Sequence, residues 1–364
     1  MSNAPDNRLG RRAILAGIAG LGLPHPAMGD VPGRTLARVR PGAPGWPEAA
    51  DWARLGNSVG GRLHPISETP AAPGLLSNPY FLRDQPGLTQ SSGWVDAWRS
   101  APSAFVVRAR DAADVSAALR FASVHRLRLV VKGGGHSYLG GSNAPDSLLV
   151  WTRDMDSIEL HDAFVPHGSH LPPAPAVSVG AGCVWGHVYD AVTTKAGRYV
   201  QGGGCTTVGV AGLVQGGGFG SFSKNYGLAA ASLLEAEIVT ADGSVRIVNQ
   251  VQDPDLFWAL KGGGGGTFGV VTRLTLRTHD LPANFGLVHL SITAASDAAF
   301  GRLLARFLAL YAERLCNPHW GEQATAKPGN RFEILMLFQG LDEAAARDAW
   351  QGLSAFLAEN GKDY

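Results

Sequence analysis

The sequence predicts an α+β fold in two parts: a larger region of alternating helical and extended segments, then a sheet-plus-helix region from about residue 281. Three observations predict it. Apolar runs of strand length alternate with helix-period segments over residues 104–277, glycine runs punctuate these segments, and after Asp280 the pattern shifts to long strands and long amphipathic helices. With 364 residues and 45% apolar content, the chain can bury a substantial core in each part.

Residues 1–29 read as an address. Arg11 and Arg12 precede an apolar run over residues 13–23 that is shorter than the roughly 20 residues a bilayer span needs, and small residues follow at 27–29. This is similar to a twin-arginine export signal, although Gly10 and Ile14 stand where that pattern usually has Ser and Phe. An ordinary secretory signal or a mistranslated start is the alternative. The expectation is a periplasmic or secreted protein that meets the twin-arginine machinery and keeps no stable membrane association after cleavage.

Residues 30–99 form a lead rich in Pro and Gly, with a helical stretch near Trp46 to Leu55. A strand is expected at 104–108. Asp111 then caps a helix with Val115, Ala118, Leu119 and Ala122 on its apolar face. Further strands are expected at 127–131, 147–151 and 176–179, and a helix at 184–195. Strands at 235–240 and 244–248 flank the hairpin signal Asp242-Gly243. Asp253-Pro254 starts a helix that stops at Lys261 before five glycines, and 268–277 is a long strand. In the second part, strands at 285–292 and 331–338 alternate with helices at 296–314 and 342–359. Two strands make a poorly covered sheet, so this part reads as incomplete at Tyr364.

A formal net charge of +1, without long runs of like charge, excludes an electrostatic footprint for nucleic acid and points to a small ligand. No metal is expected. Of the three cysteines, Cys183, Cys205 and Cys316, an odd count leaves at least one without an intramolecular partner. Cys183 and Cys316 either pair or remain two buried thiols.

Two glycine-rich loops carry the chemistry. Residues 132–138 read Lys-Gly-Gly-Gly-His-Ser-Tyr, and residues 204–212 read Gly-Cys-Thr-Thr-Val-Gly-Val-Ala-Gly. Glycine allows positive φ and close backbone approach, so successive free N–H groups can cradle a pyrophosphate. One nucleophilic side chain in each loop, His136 and Cys205, points to a covalently held flavin. The other common dinucleotide fold is excluded by order: G-x-G-x-x-G occurs over residues 264–269, but it follows a helix and opens a strand.

These loops, together with Lys-Asn-Tyr-Gly-Leu at 224–228, Asp-Leu-Phe-Trp-Ala-Leu-Lys-Gly at 255–262 and Phe-Gly-Val-Val at 268–271, resemble the berberine-bridge-enzyme-like oxidases. That group lies within the vanillyl-alcohol oxidase or PCMH-type flavoproteins. The resemblance runs over residues 104–279 and continues more weakly to Tyr364. It implies a PCMH-type, two-subdomain FAD-binding domain over 100–280 and a partial substrate domain over 281–364. It implies FAD held bicovalently, with His136 on the 8α-methyl and Cys205 on C6. Lys132, Gly133, Gly134, Gly135 and Ser137 would line the pyrophosphate. Thr206 would contact the cofactor, Val208 would face the flavin, Gly209 and Gly212 would let their loop approach the isoalloxazine, Tyr226 and Gly227 would close the pocket, and the Val239 main chain would meet adenine.

Phe219 departs from the family: it stands where relatives carry a tyrosine hydroxyl, and a phenyl ring relays no proton. The general base is therefore unnamed. Val208 stands where, by resemblance, valine leaves oxygen a path to the flavin. The implied activity is an exported oxidoreductase that oxidises an alcohol or sugar by hydride transfer to flavin, with oxygen taking the electrons to give hydrogen peroxide. A noncatalytic flavin-binding remnant and a quinone-linked dehydrogenase are the alternatives.

Overall fold

Strand β4 (Ser147–Trp151) is buried along its whole length, which requires neighbours on both edges and cover on both faces. It pairs in parallel with β2 (Phe105–Arg108) and β3 (Arg128–Lys132), and β1 (Leu63–Pro65) adds antiparallel to β2, giving the order β1-β2-β4-β3. The computed structural model describes residues 38–67, 72–94, 101–321 and 323–364. The export segment with Arg11 and Arg12 lies outside them.

Parallel strands need a crossover. The helix Ala112–Val124 supplies it between β2 and β3, and Asp111 caps it by accepting the Asp114 amide at 2.9 Å. Val115, Ala118 and Ala122 join Val107, Leu148 and Val150 in one core, with Leu119 half-buried at its edge. Part of the segment expected to be a lead packs into this layer: its residues 49–65 form a helix and strand β1. The helix Ala49–Ser58 places Trp52 and Leu55 in the same core, and Trp52 stacks on Phe105 with ring centroids 4.0 Å apart. Pro and Gly mark its turns, while the spacing of Trp52, Leu55 and Val59 makes a helical face.

A second, antiparallel sheet holds β5 (Ile158–Phe164), β6 (Ala174–Gly180), β8 (Leu233–Val239), β9 (Val245–Asn249) and β10 (Val270–Arg277) in the order β5-β6-β10-β8-β9. The Asp242-Gly243 turn joins β8 to β9. Asp242 Oδ1 accepts from Thr240 Oγ1 at 2.6 Å and from the Ser244 amide at 3.0 Å, and Gly243 takes φ +76°. Strand β5 was not expected, because Glu159, His161 and Asp162 on an edge strand break the apolar pattern. The expected 184–195 helix is an α turn, Trp185–Tyr189, running into a π-helical Asp190–Lys195.

Short strands β7 (Arg198–Tyr199) and β11 (His279–Asp280) pair with each other before the third sheet. That sheet has four strands rather than the two expected. β15 (Arg331–Gln339) pairs with β12 (Phe285–Thr293) along nine residues, and with β13 (Trp320–Gly321) and β14 (Ala324–Lys327). The two additional strands are too short to show periodicity. The helices Asp297–Leu310 and Glu343–Glu359 bring Leu303, Phe307, Trp350 and Leu353 against Phe332, Ile334 and Met336. The alternate residues Phe285, Leu287, Leu335 and Leu337 are exposed.

Candidate cofactor cleft

The two glycine loops meet backbone to backbone. The first leaves the end of β3, and the second runs from β7 into the helix Val210–Gln215. A Cβ on Gly134 would lie 2.5 Å from the Gly209 amide nitrogen and 2.6 Å from the Thr207 carbonyl oxygen. A Cβ on Gly209 would lie 2.7 Å from the Gly134 nitrogen. No other residue fits either position without moving backbone. Beside this contact lies a cleft of about 310 Å³ lined by Gly133, Gly134, Gly135, His136 and Ser137 from one loop and by Val208, Gly209 and Gly212 from the other. Gly265 and Gly266 form a third wall. In the sequence their run read only as a helix stop, yet five successive glycines were the signal for a close approach.

The cleft suits a flavin dinucleotide. Among the described residues, the amides of residues 133–137 donate to no acceptor, so they remain available to phosphate oxygens. A Cβ on Gly212 would meet nothing within 4 Å, which leaves flat space at the start of the helix Val210–Gln215. Gln215 lines the same cleft, and its Oε1 is buried with no hydrogen-bond partner. An orphaned acceptor of this kind fits a ligand N–H.

The two side chains expected to attach flavin, His136 and Cys205, converge on one hydroxyl. His136 Nε2 lies 2.9 Å from Thr207 Oγ1, and Cys205 Sγ lies 3.6 Å from the same oxygen. Burial pushes the His136 pKa below its ordinary value, which favours the neutral, nucleophilic ring. Cys205 is exposed. Thr206 Oγ1 is 2.9 Å from the hydroxyl of Tyr80, on the helix Pro79–Arg83, so the N-terminal segment also reaches this site.

An FAD binding domain family matches residues 102–249. The FAD-linked oxidoreductase malF of Malbranchea aurantiaca is 38% identical over 304 residues, covering 73% of this chain and 51% of the relative. A VAO-type flavoprotein of Myceliophthora thermophila superposes with a TM-score of 0.77 at 29% identity, covering 89% of this chain and 64% of that one. BBE-like 1 of Physcomitrella patens shares the fold with a TM-score of 0.61 at 24% identity, covering 70% of this chain and 52% of that one. The chain carries an FAD-binding domain and the fold of the VAO-type flavoproteins, and it is similar in sequence to FAD-linked oxidoreductases. It spans about half the length of the curated relatives it matches.

In this flavoprotein several expected positions lie away from the cleft lining. The Lys132 side chain is fully buried and turned back: its ammonium donates to the carbonyls of Leu82 (3.2 Å), Gln85 (2.5 Å) and Leu88 (2.6 Å). It anchors the segment whose Gln90 amide reaches the Gly135 carbonyl at 2.9 Å. Val239 is buried in β8 between β9 and β10, with both ladders engaged. Tyr226 stacks on Tyr199 at 4.3 Å and donates to Gln339 Oε1 at 3.2 Å, joining the β7 region to β15. Gly227, at φ +76°, ends the helix Ser223–Tyr226. Phe219 is 68% exposed. All three cysteines are free, and Cys316 is exposed rather than buried.

Proposed function

We propose that this flavoprotein holds FAD through two covalent bonds, from His136 and Cys205, and oxidises an alcohol or the anomeric carbon of a sugar, with oxygen as electron acceptor and hydrogen peroxide as product. The observation that carries this reading is the shared Thr207 contact, which gathers the two nucleophiles beside a glycine-lined cleft. Bound flavin supplies the hydride acceptor and the oxygen-reactive centre. The chain supplies the rest. Amides of residues 133–137 would hold the phosphates, the Gly134 and Gly209 backbones set the loop spacing, and Val208, which lines the cleft, would limit the space left to the cofactor there. Phe219 brings no proton-transfer group to its position. Export through Arg11 and Arg12 belongs to the same reading, since a covalent cofactor cannot dissociate outside the cytoplasm.

The test is acid precipitation followed by an oxidase assay. The unmodified protein should stay yellow after denaturation, His136→Ala or Cys205→Ala alone should retain flavin, and the double variant should release it. Free flavin in the supernatant of the unmodified protein would end the bicovalent reading. Peroxide formation with a panel of alcohols and sugars checks the activity; flavin reduction without peroxide would instead favour a quinone acceptor.

A further inference from the structure

Thr207 was part of the second loop motif but had no assigned role, and it is 1% exposed. Its hydroxyl contacts His136 Nε2 and Cys205 Sγ, and no other polar side-chain atom among the described residues. A hydroxyl has one proton, so it can donate to only one of these neighbours at a time. When it donates to Nε2, the neutral imidazole carries its own proton on Nδ1, which then has no lone pair to bond carbon, and the sulfur faces an acceptor that favours S–H. When it donates to sulfur, Nε2–H donates to the hydroxyl, the Nδ1 lone pair is free, and the hydroxyl stabilises a thiolate. One rotation therefore changes both nucleophiles in the same direction.

We propose that Thr207 is the positioning residue that primes His136 and Cys205 in concert for flavin attachment, an inference that rests on the bicovalent reading. Each attachment replaces one flavin C–H and one protein N–H or S–H by a C–N or C–S bond. The two electrons released pass to the flavin ring and then to dioxygen, which leaves with both protons as hydrogen peroxide. Thr207 is regenerated in each step and contributes orientation and a proton path. Its backbone also lies at the Gly134 contact, so the hydroxyl is held at the junction of the two loops.

The test uses the full chain expressed under flavin limitation and then supplied with FAD in air. Acid-stable flavin is followed over time, and the masses of the peptides containing His136 and Cys205 are measured. Thr207→Val should bind FAD that is released by acid, with attachment slowed at both residues by about tenfold or more, the scale set by losing a hydrogen bond to an ionised group. Thr207→Ser should restore attachment to within about twofold, since it keeps the hydroxyl. Wild-type rates at both residues in Thr207→Val, or at one of them, would overturn the inference while leaving the bicovalent reading standing. Release of all flavin from the unmodified protein would overturn both. The unmodified protein gives an independent measurement if Thr207→Val fails to fold: the two bonds should form with one shared pH midpoint, and two separate midpoints would overturn the coupling.

Discussion

At Gly134, Gly209 and Gly212, a single missing Cβ has different consequences. Gly134→Ala would drive a methyl group into the Gly209 amide and the Thr207 carbonyl, so a destabilisation of about 1–3 kcal/mol is expected, with loss of bound flavin. Gly212→Ala meets open space in the protein. It should leave the melting temperature close to wild type while reducing flavin content, because its methyl group enters the cofactor's space. Thermal melting and flavin absorbance per chain separate the two cases; equal loss of stability in both variants would refute the loop-contact argument. Val208 lines the cleft beside this contact and is half-buried. The extra bulk of Val208→Leu is expected to slow reoxidation of reduced flavin by oxygen more than it slows reduction by substrate. Stopped-flow mixing with aerated buffer checks this, and equal reoxidation rates would remove Val208 from oxygen access.

At the scale of elements, strand β3 delivers two consecutive residues to different tasks: Val131 lines the cleft and Lys132 is buried behind it. Burial pushes the Lys132 pKa down from 10.5 to about 7, opposed by the charge of Asp84; the Trp151 ring lies 5.5 Å from the ammonium. The folded value is below the unfolded one, so between about pH 7 and 10.5 the unfolded chain binds more protons. This group therefore makes stability rise with pH across that window. Denaturant titrations should show the slope in the wild type and its loss in Lys132→Met, and a slope unchanged by the substitution would contradict it. The Met variant should also be less stable at pH 7, since three carbonyls in the 82–88 segment lose their donor. Strong local signals made the capped helix after Asp111, the Asp242-Gly243 hairpin and the Pro254 helix start legible in the sequence. Strands β5, β13 and β14 were not legible, because a polar edge strand and strands of two to four residues carry too little periodicity.

For the whole molecule, the N-terminal segment links fold and site. Trp52 packs into the first core, Leu82, Gln85 and Leu88 hold Lys132, and Tyr80 reaches Thr206. The proposed export would act on the chain as a unit. If Arg11 and Arg12 direct it, Arg11→Lys with Arg12→Lys should leave folded, flavin-containing protein in the cytoplasm of a bacterial host with twin-arginine transport. Fractionation measures this, and an unchanged periplasmic yield would point to a general secretory route or to no export.

The sequence by itself pointed to the cofactor class through local features, glycine runs that free the backbone and a nucleophile beside each, and to the fold family through the resemblance of its motifs. It also brought His136 and Cys205 forward as a pair. Only the tertiary structure decided how these features combine. Residues 134 and 209 are far apart in the chain, so their mutual need for glycine becomes visible only when the loops touch. Thr207 looked like one hydroxyl among several until folding set it between imidazole and thiol. Lys132 read as a phosphate ligand because it adjoins the cradle, but alternation along β3 turns its ammonium to the opposite side. Sequence position fixes which groups are neighbours along the chain; the direction of each side chain and its partners across the fold are set by packing.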